Sequence, residues 1–295
     1  MRRPLLQFLR ALGTLVGVWV FVQLLPRWLP EDPARVAAGE FATPADVEAM
    51  RHLLGLDQPW LQSLGRSAAA LLHGDLGQSL RYRKPVAQVL AAGLPVSVRL
   101  ALLAILASAV LAWLLAFRRS RGSGFLQSAA VASPVYVLGP LLLWSVAQHV
   151  PGLPVAGIKG WASWILPTFA LSVPLAGHQA RVIGSMLDAL TGSPGLRTWQ
   201  GAGVPWRTRV LKWIFPAVSG PWLTILGLQL GGLLGGAVLV ETIFALPGLG
   251  QTLVNALASR DLPLVQGAVS LGAALYVAAQ VVVESVQSLV DPRAR

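Results

Sequence analysis

The stretch LGLQLGGLLGGAVLVETIFALPGLG fills residues 226–250. Up to Glu241 it holds one strongly polar side chain, Gln229, among leucine, valine, alanine and glycine. A run of about 20 such residues is what a helix needs to cross a bilayer. Inside lipid every backbone N–H and C=O has to be paired within the segment, so the run reads as a helix. Gly227, Gly231, Gly232, Gly235 and Gly236 recur at helical spacing. Small residues on one face let helices approach closely in lipid, where packing drives association. Gln229 reads as a bond to a neighbouring helix. The run then stops on a carboxylate. Pro247 removes a backbone donor and Gly248 and Gly250 favour a turn, so no regular helix continues. The following QTLVNALASRDLPLVQG, residues 251–267, reads as a short re-entrant or surface helix with Arg260 and Asp261 at its end. Non-helical backbone at membrane depth is tolerated only where it is packed in protein or lines a wet cavity. Two readings stand for Glu241, Pro247, Gly248, Gly250, Arg260 and Asp261: the outer mouth of a passage, or a plain external loop.

The remaining sequence has the same character. Of 295 residues, 55% are hydrophobic and 12% charged. A soluble domain carries about 25% charged residues, and half that share points to a solvent other than water. Six spans are expected, at about residues 9–25, 96–117, 125–150, 161–183, 218–243 and 264–289. The fold class is therefore an all-α polytopic membrane protein. The alternating strands of about ten residues that mark a membrane barrel are not in the sequence. A net charge of +11 raises nucleic acid as a partner. Yet the cations form short clusters between apolar runs, as topology signals do, instead of one basic patch. Arg2, Arg3 and Arg10, then Arg118, Arg119 and Arg121, then Arg197, Arg207, Arg209 and Lys212, and last Arg293 and Arg295 fall on one side of six spans. That side is expected to be the cytoplasm, with both termini in it. A cleaved signal peptide fits less well, because the small-residue site at 37–39 lies well past the first apolar run. The absence of cysteine excludes disulfides, thiolate metal sites and cysteine nucleophiles.

Three regions are expected: 1–25 with the first span, an extracytoplasmic region 26–95 with short helices, and a five-helix core 96–295. ADVEAMRHLLGL, residues 45–56, reads as an amphipathic helix stopped by Gly55. Residues 184–217 are too long for a mere connector. RTWQGAG, residues 197–203, forms a short helix with Gly203 near its end as a cap. Pro205 starts a second helical stretch whose Arg207, Arg209, Lys212 and Trp213 suit an interface. The result is a helix–turn–helix elbow beneath the membrane. It is either a docking lever for a soluble partner or an ordinary loop with inside charges.

GLDQP, GDLGQS, the elbow with Gly203, LGLQLGGLLGGAVLVETIFALPGLG, RDLPLVQG and terminal DPR follow one another in that order. Taken together they resemble the permease subunits of bacterial ABC importers for dipeptides, oligopeptides and nickel, specifically the first permease of the usual pair. The resemblance implies a type I importer fold in the bacterial inner membrane. It implies a second homologous permease, two cytoplasmic ATPases that bind ATP and Mg, and an extracytoplasmic substrate-binding protein. It also implies that the elbow is the ATPase-coupling segment, comprising Arg197, Thr198, Trp199, Gln200, Gly201, Ala202 and Gly203. Arg197, Thr198 and Gly203 match the family's run. Trp199, Gln200, Gly201 and Ala202 depart from it, Trp199 most of all because the family has a small residue there, which implies an altered or co-adapted ATPase fit.

No G-x-x-x-x-G-K-[ST] phosphate loop occurs, so no ATP or other cofactor is expected in this chain. No catalytic residue or metal ligand is assigned, and His52, His73, His149 and His178 are scattered. The competing readings are an intramembrane enzyme, which needs paired catalytic residues within the spans, and an ion-coupled carrier working alone, for which Glu284 is the carboxylate.

Overall fold

The computed structural model describes residues 2–28, 32–39, 41–118, 123–150 and 153–290. In chain order the helices are α1 Arg2–Trp28, α2 Pro33–Ala38, α3 Pro44–Leu53, α4 Trp60–Leu72, α5 Val86–Phe117, α6 Ser123–Ala132 and α7 Val135–His149. They continue as α8 Ile165–Thr191, α9 Pro194–Gly201, α10 Trp206–Arg209, α11 Phe215–Gly236, α12 Val238–Ile243, α13 Leu249–Ala258 and α14 Leu262–Val290. No strand ladder occurs among the described residues; Gln78 and Pro85 form an isolated bridge.

Among those residues four helices are long and apolar enough to cross a membrane, Leu9–Trp28, Val86–Phe117, Trp206–Leu233 and Leu262–Gln287. A bent pair makes a fifth if it is one span. The fourth expected span, 161–183, corresponds to α8, which is long enough but is not among those four. Three expected boundaries change. The second span starts before residue 96, because α5 runs on through Pro95 from Val86. The third is broken: Gly124–Ala132 and Val135–Val146 meet at 96°. Pro134 lacks an N–H and disfavours helical backbone at Ser133, so α6 ends there and α7 restarts. The fifth begins earlier than residue 218, behind a π turn, and is interrupted once within its expected bounds. Pro216 has no N–H to give Lys212, and the turn Val210–Ile214 widens to π geometry, with the Phe215 N–H donating to the Val210 carbonyl. After Gly235 and Gly236, both poor helix formers, the helix breaks at Ala237 and resumes as α12.

In α3 the Thr43 hydroxyl and backbone N–H donate to the Asp46 carboxylate at 2.6 and 2.9 Å, and Asp46 N–H returns a bond to the hydroxyl. The hydroxyl bond first, then the backbone one, holds the Asp46 pKa below the ordinary carboxylate value. The stop expected at Gly55 is there, in the left-handed region at φ +63°.

The chain divides into two compact units. The first comprises Met1–Ser97 and Pro247–Val277. Its core joins Val86 and Leu90 of α5 to Leu249 and Ala256 of α13 and to Leu264, Val265 and Ala268 of α14. Close backbone approach makes this possible: a Cβ at Gly93 would sit 3.0 Å from the Gly248 carbonyl carbon. Leu249 N–H, at the start of α13, donates to Ser97 Oγ at 2.8 Å. Gly93→Val is expected to destabilise the protein by about 1–3 kcal/mol, the usual cost of overpacking. Thermal unfolding of the purified protein checks this, and an unchanged midpoint counts against the packing described.

The second unit comprises Val98–Leu246 and Ala278–Arg295. Its core gathers Ala112 and Ala116 of α5, Ala176, Ala180, Ile183 and Leu187 of α8, and Ile214 and Val218. Alanine at four of these positions lets the helices close in. Gly177 does the same against α6, where a Cβ would lie 2.8 Å from the Val131 nitrogen.

Candidate functional site

The elbow is built by caps and rings. Ser193 opens α9, its hydroxyl accepting from Leu196 N–H at 3.4 Å, with Pro194 in the first turn. Gly203 closes it at φ +71°. Val204 N–H reaches the Trp199 carbonyl at 3.1 Å and Gly203 N–H reaches that of Gln200 at 3.1 Å. This pair of bonds is a Schellman cap, whose left-handed residue is usually glycine. Among the described residues nothing lies within 4 Å of where a Gly203 Cβ would stand, so backbone conformation and not space calls for glycine here.

Gly195 and Trp199, one turn apart, face the segment that follows. A Cβ at Gly195 would be 2.4 Å from the Trp213 ring, and the Trp199 and Trp213 rings lie 5.6 Å apart. Trp199, the bulkiest departure from the family's run, is half-buried against Trp213, while Arg197, Thr198, Gln200, Gly201, Ala202 and Gly203 are exposed. The bulky residue thus packs within the elbow and leaves a small, polar tip outside. Arg209 stacks over Trp206 at 5.5 Å.

The six mouth candidates divide between the units: Glu241 belongs to the second and Pro247, Gly248, Gly250, Arg260 and Asp261 to the first. Glu241 is buried. Its carbonyl accepts from Leu246 N–H at 2.8 Å and that of Thr242 accepts from Ala245 N–H at 3.2 Å. Ala245, at φ +51°, is the left-handed residue of this cap. The sharp turn after the carboxylate is thus made two residues before Pro247. In the first unit the same device ends α13. Arg260 stands at φ +55°, and Asp261 N–H bonds the Ala256 carbonyl at 2.9 Å. The buried Asp261 carboxylate accepts from the Ser79 hydroxyl at 2.5 Å, Arg81 N–H at 3.1 Å and Leu264 N–H at 3.2 Å. It clasps the GDLGQS stretch to the start of α14.

Of the packing glycines, Gly227 meets a neighbour: a Cβ there would lie 2.3 Å from Val283 Cγ1 of α14. Gly231 is buried, and a Cβ at Gly232 would meet nothing within 4 Å among the described residues. The surroundings of Gly235 and Gly236 lie outside the described residues, as do Arg119, Arg121, Arg293 and Arg295.

Gln229 belongs to a polar network centred on Gln179, a residue sequence reasoning passed over. Gln179 is fully buried. Its Nε2 donates to Ser108 Oγ at 2.9 Å and to Gln229 Oε1 at 2.7 Å, and its Oε1 accepts from Trp222 Nε1 at 3.1 Å. Gln229 Nε2 donates to the Leu175 carbonyl at 3.2 Å. The network ties α5, α8 and α11. Its sequence signal is a glutamine inside an apolar run at position 179. Among the described residues no three histidine or acidic side chains gather as a metal site.

Comparison with known proteins agrees with this architecture. Residues 104–295 match the family model described as binding-protein-dependent transport system inner membrane component. A protein of Brucella abortus (strain 2308), named as a peptide transport system permease, is 35% identical over 97% of this chain and 96% of its own length. The glutathione transport system permease protein of Escherichia coli O6:H1 is 31% identical over 98% of this chain and 97% of its own. The counterpart of that name in Pectobacterium atrosepticum is also 31% identical, over the same shares. With this match, and with multiple apolar helices to hold it in the inner membrane, the chain belongs to the family of binding-protein-dependent transport system inner membrane components.

Proposed function

We propose that this chain is the permease subunit of an ATP-driven importer that takes up small peptides handed over by a binding protein outside. The likeness to permeases named for peptides and for glutathione, itself a tripeptide, over nearly the whole chain carries this reading. Both termini and the elbow face the cytoplasm in it. Two ATPases with their ATP and Mg dock beneath the elbow, and a second homologous permease completes the path. The exposed tip from Arg197 to Gly203 enters an ATPase groove, while Trp199 and Trp213 join the tip to the bundle. ATP drives the cycle because it binds the closed ATPase pair more tightly than the open one, the sole way a ligand shifts a conformational equilibrium. Glu241 and the turns after it belong to the outer mouth.

The test is reconstitution of the chain in lipid discs with its neighbouring permease, ATPases and binding protein. Peptide-loaded binding protein is expected to raise ATP hydrolysis several-fold over the unloaded form. Hydrolysis indifferent to every loaded binding protein, or uptake with the ATPases left out, defeats the proposal.

A further inference from the structure

Helix α8 is polar on one side. His178, Arg181, Ser185 and Asp188 of α8 are all exposed, and at spacings of three and four residues they share one face. Their depth follows from the second unit's own contacts. Gln179 bonds Ser108, which precedes the end of α5 at Phe117 by about 14 Å at 1.5 Å per residue. Arg118 follows Phe117 directly and Arg119 and Arg121 come soon after, marking the boundary of the apolar layer. His178 therefore lies well inside that layer and Arg181 about one turn nearer its edge.

At the same level the exposed face of α5 is different. Leu106 and Val110 are each 63% exposed, and Leu102 and Leu114 extend the stripe. That is a face for lipid. A cation on a face toward lipid is costly, and ionisable residues within spans face the bundle interior or a wet cavity. A long side chain escapes by reaching along its helix to the interface. Arg181 instead reaches sideways, donating to Ser128 Oγ of α6 at 3.3 Å. Ser128 is itself more than one turn inside the start of α6 at Ser123.

Resting on the permease reading above, we propose that the α8 face of His178, Arg181 and Ser185 lines the solute path and that Arg181 receives the carboxylate of the passing peptide. A guanidinium offers a planar fork of donors matched to a carboxylate. Placed beside water in a low-dielectric wall, it attracts an anionic group more strongly than it does in bulk water. It discriminates a free peptide terminus from an uncharged one.

The chain has no cysteine, so single cysteines report directly. In the reconstituted complex His178→Cys and Ser185→Cys are expected to react with a membrane-impermeant anionic thiosulfonate and to be shielded by excess peptide. Leu106→Cys and Val110→Cys are expected to stay silent. With Ser185→Cys as reporter, adding Arg181→Gln is expected to lower the ratio of anionic to cationic reagent rates several-fold, and Arg181→Lys to preserve it. Uptake of a peptide with a free terminal carboxylate is expected to fall about tenfold in Arg181→Gln, as when one partner of a charge pair is lost. Uptake of the amidated peptide changes by less than about twofold. Silence at 178 and 185 places that face against lipid or the second permease and overturns the proposal. An unchanged reagent ratio, or equal loss for both peptides, overturns the role of Arg181. A wild-type complex that takes up no peptide defeats the assigned cargo alone, since the labelling pattern and the reagent ratio still decide whether α8 lines a wet path with a cation in it.

Discussion

Gly203→Val is expected to cut solute uptake about tenfold or more while leaving the amount of protein in the membrane unchanged. The argument is conformational. Gly203 stands at φ +71° with open space where a side chain would go. Valine fits that space but not that backbone. The left-handed region costs an ordinary L-residue about 1–2 kcal/mol, and more when it is β-branched. Since 1.4 kcal/mol is a factor of ten, most elbows then lose the cap that holds α9 in shape. The bonds at stake are the two that close on Trp199 and Gln200. Among the described residues nothing in the second unit's core lies within 4 Å of a Cβ placed here, so the bundle persists. Gly203→Asn is expected to retain much of the uptake, because asparagine tolerates left-handed backbone. ATPase stimulation by loaded binding protein should follow uptake in the same order, glycine above asparagine above valine. Equal activity of the asparagine and valine variants points to loss of a surface and not of a cap. Full activity of the valine variant removes the elbow from the coupling path.

The elbow was legible because its signals are local. Pro194, Gly203 and Pro205 punctuate the chain, and helix caps obey short-range rules. The same holds for the short helix that ends before Gly55. The apolar runs likewise announced helices, since lipid leaves the backbone few alternatives. What sequence reasoning missed depends on partners far along the chain, or on sterics that composition hides. The bend at Pro134 was invisible to a count of apolar residues, because α6 and α7 are both apolar on either side of it. For the turn after Glu241 the sequence points to Pro247, Gly248 and Gly250. It is made by Ala245, a residue with no turn signature, held at positive φ by bonds to Glu241 and Thr242. Arg260 takes the left-handed position after α13 in the same way, with the buried Asp261 carboxylate beside it anchoring the chain. In sequence Trp199 is a bulky residue where the family has a small one, which implies an altered or co-adapted ATPase fit. Its ring turns out to be spent against Trp213, whose place beside it depends on how the π turn returns the chain. Gln179 required three helices to be assembled before its meaning appeared.

Gln179→Leu is expected to destabilise the second unit by about 2–3 kcal/mol. Leucine is close to glutamine in size, so the loss is of polarity and not of volume. The substitution strips the donor to Ser108 Oγ, the donor to Gln229 Oε1 and the acceptor for Trp222 Nε1 in one step. Single interhelical hydrogen bonds in a membrane average about 0.6 kcal/mol and reach about 1.7. Three bonds on one fully buried side chain sum toward the figure given, and groups left unpartnered away from water add their own desolvation. Ser108 keeps its bond to the Ile105 carbonyl and Gln229 its bond to Leu175, which bounds the damage. The Trp222 indole N–H is the group most exposed to the loss. Trp222→Phe alone should therefore cost less, about 1 kcal/mol, and should add little when Gln179 is already leucine. Thermal unfolding of the three variants in detergent closes the cycle. If the single costs simply add in the double variant, Gln179 and Trp222 do not act through their shared bond. If Gln179→Leu unfolds at the wild-type temperature, the network is not what joins α5, α8 and α11, and the alanine-lined packing of Ala112, Ala116, Ala176 and Ala180 holds them unaided.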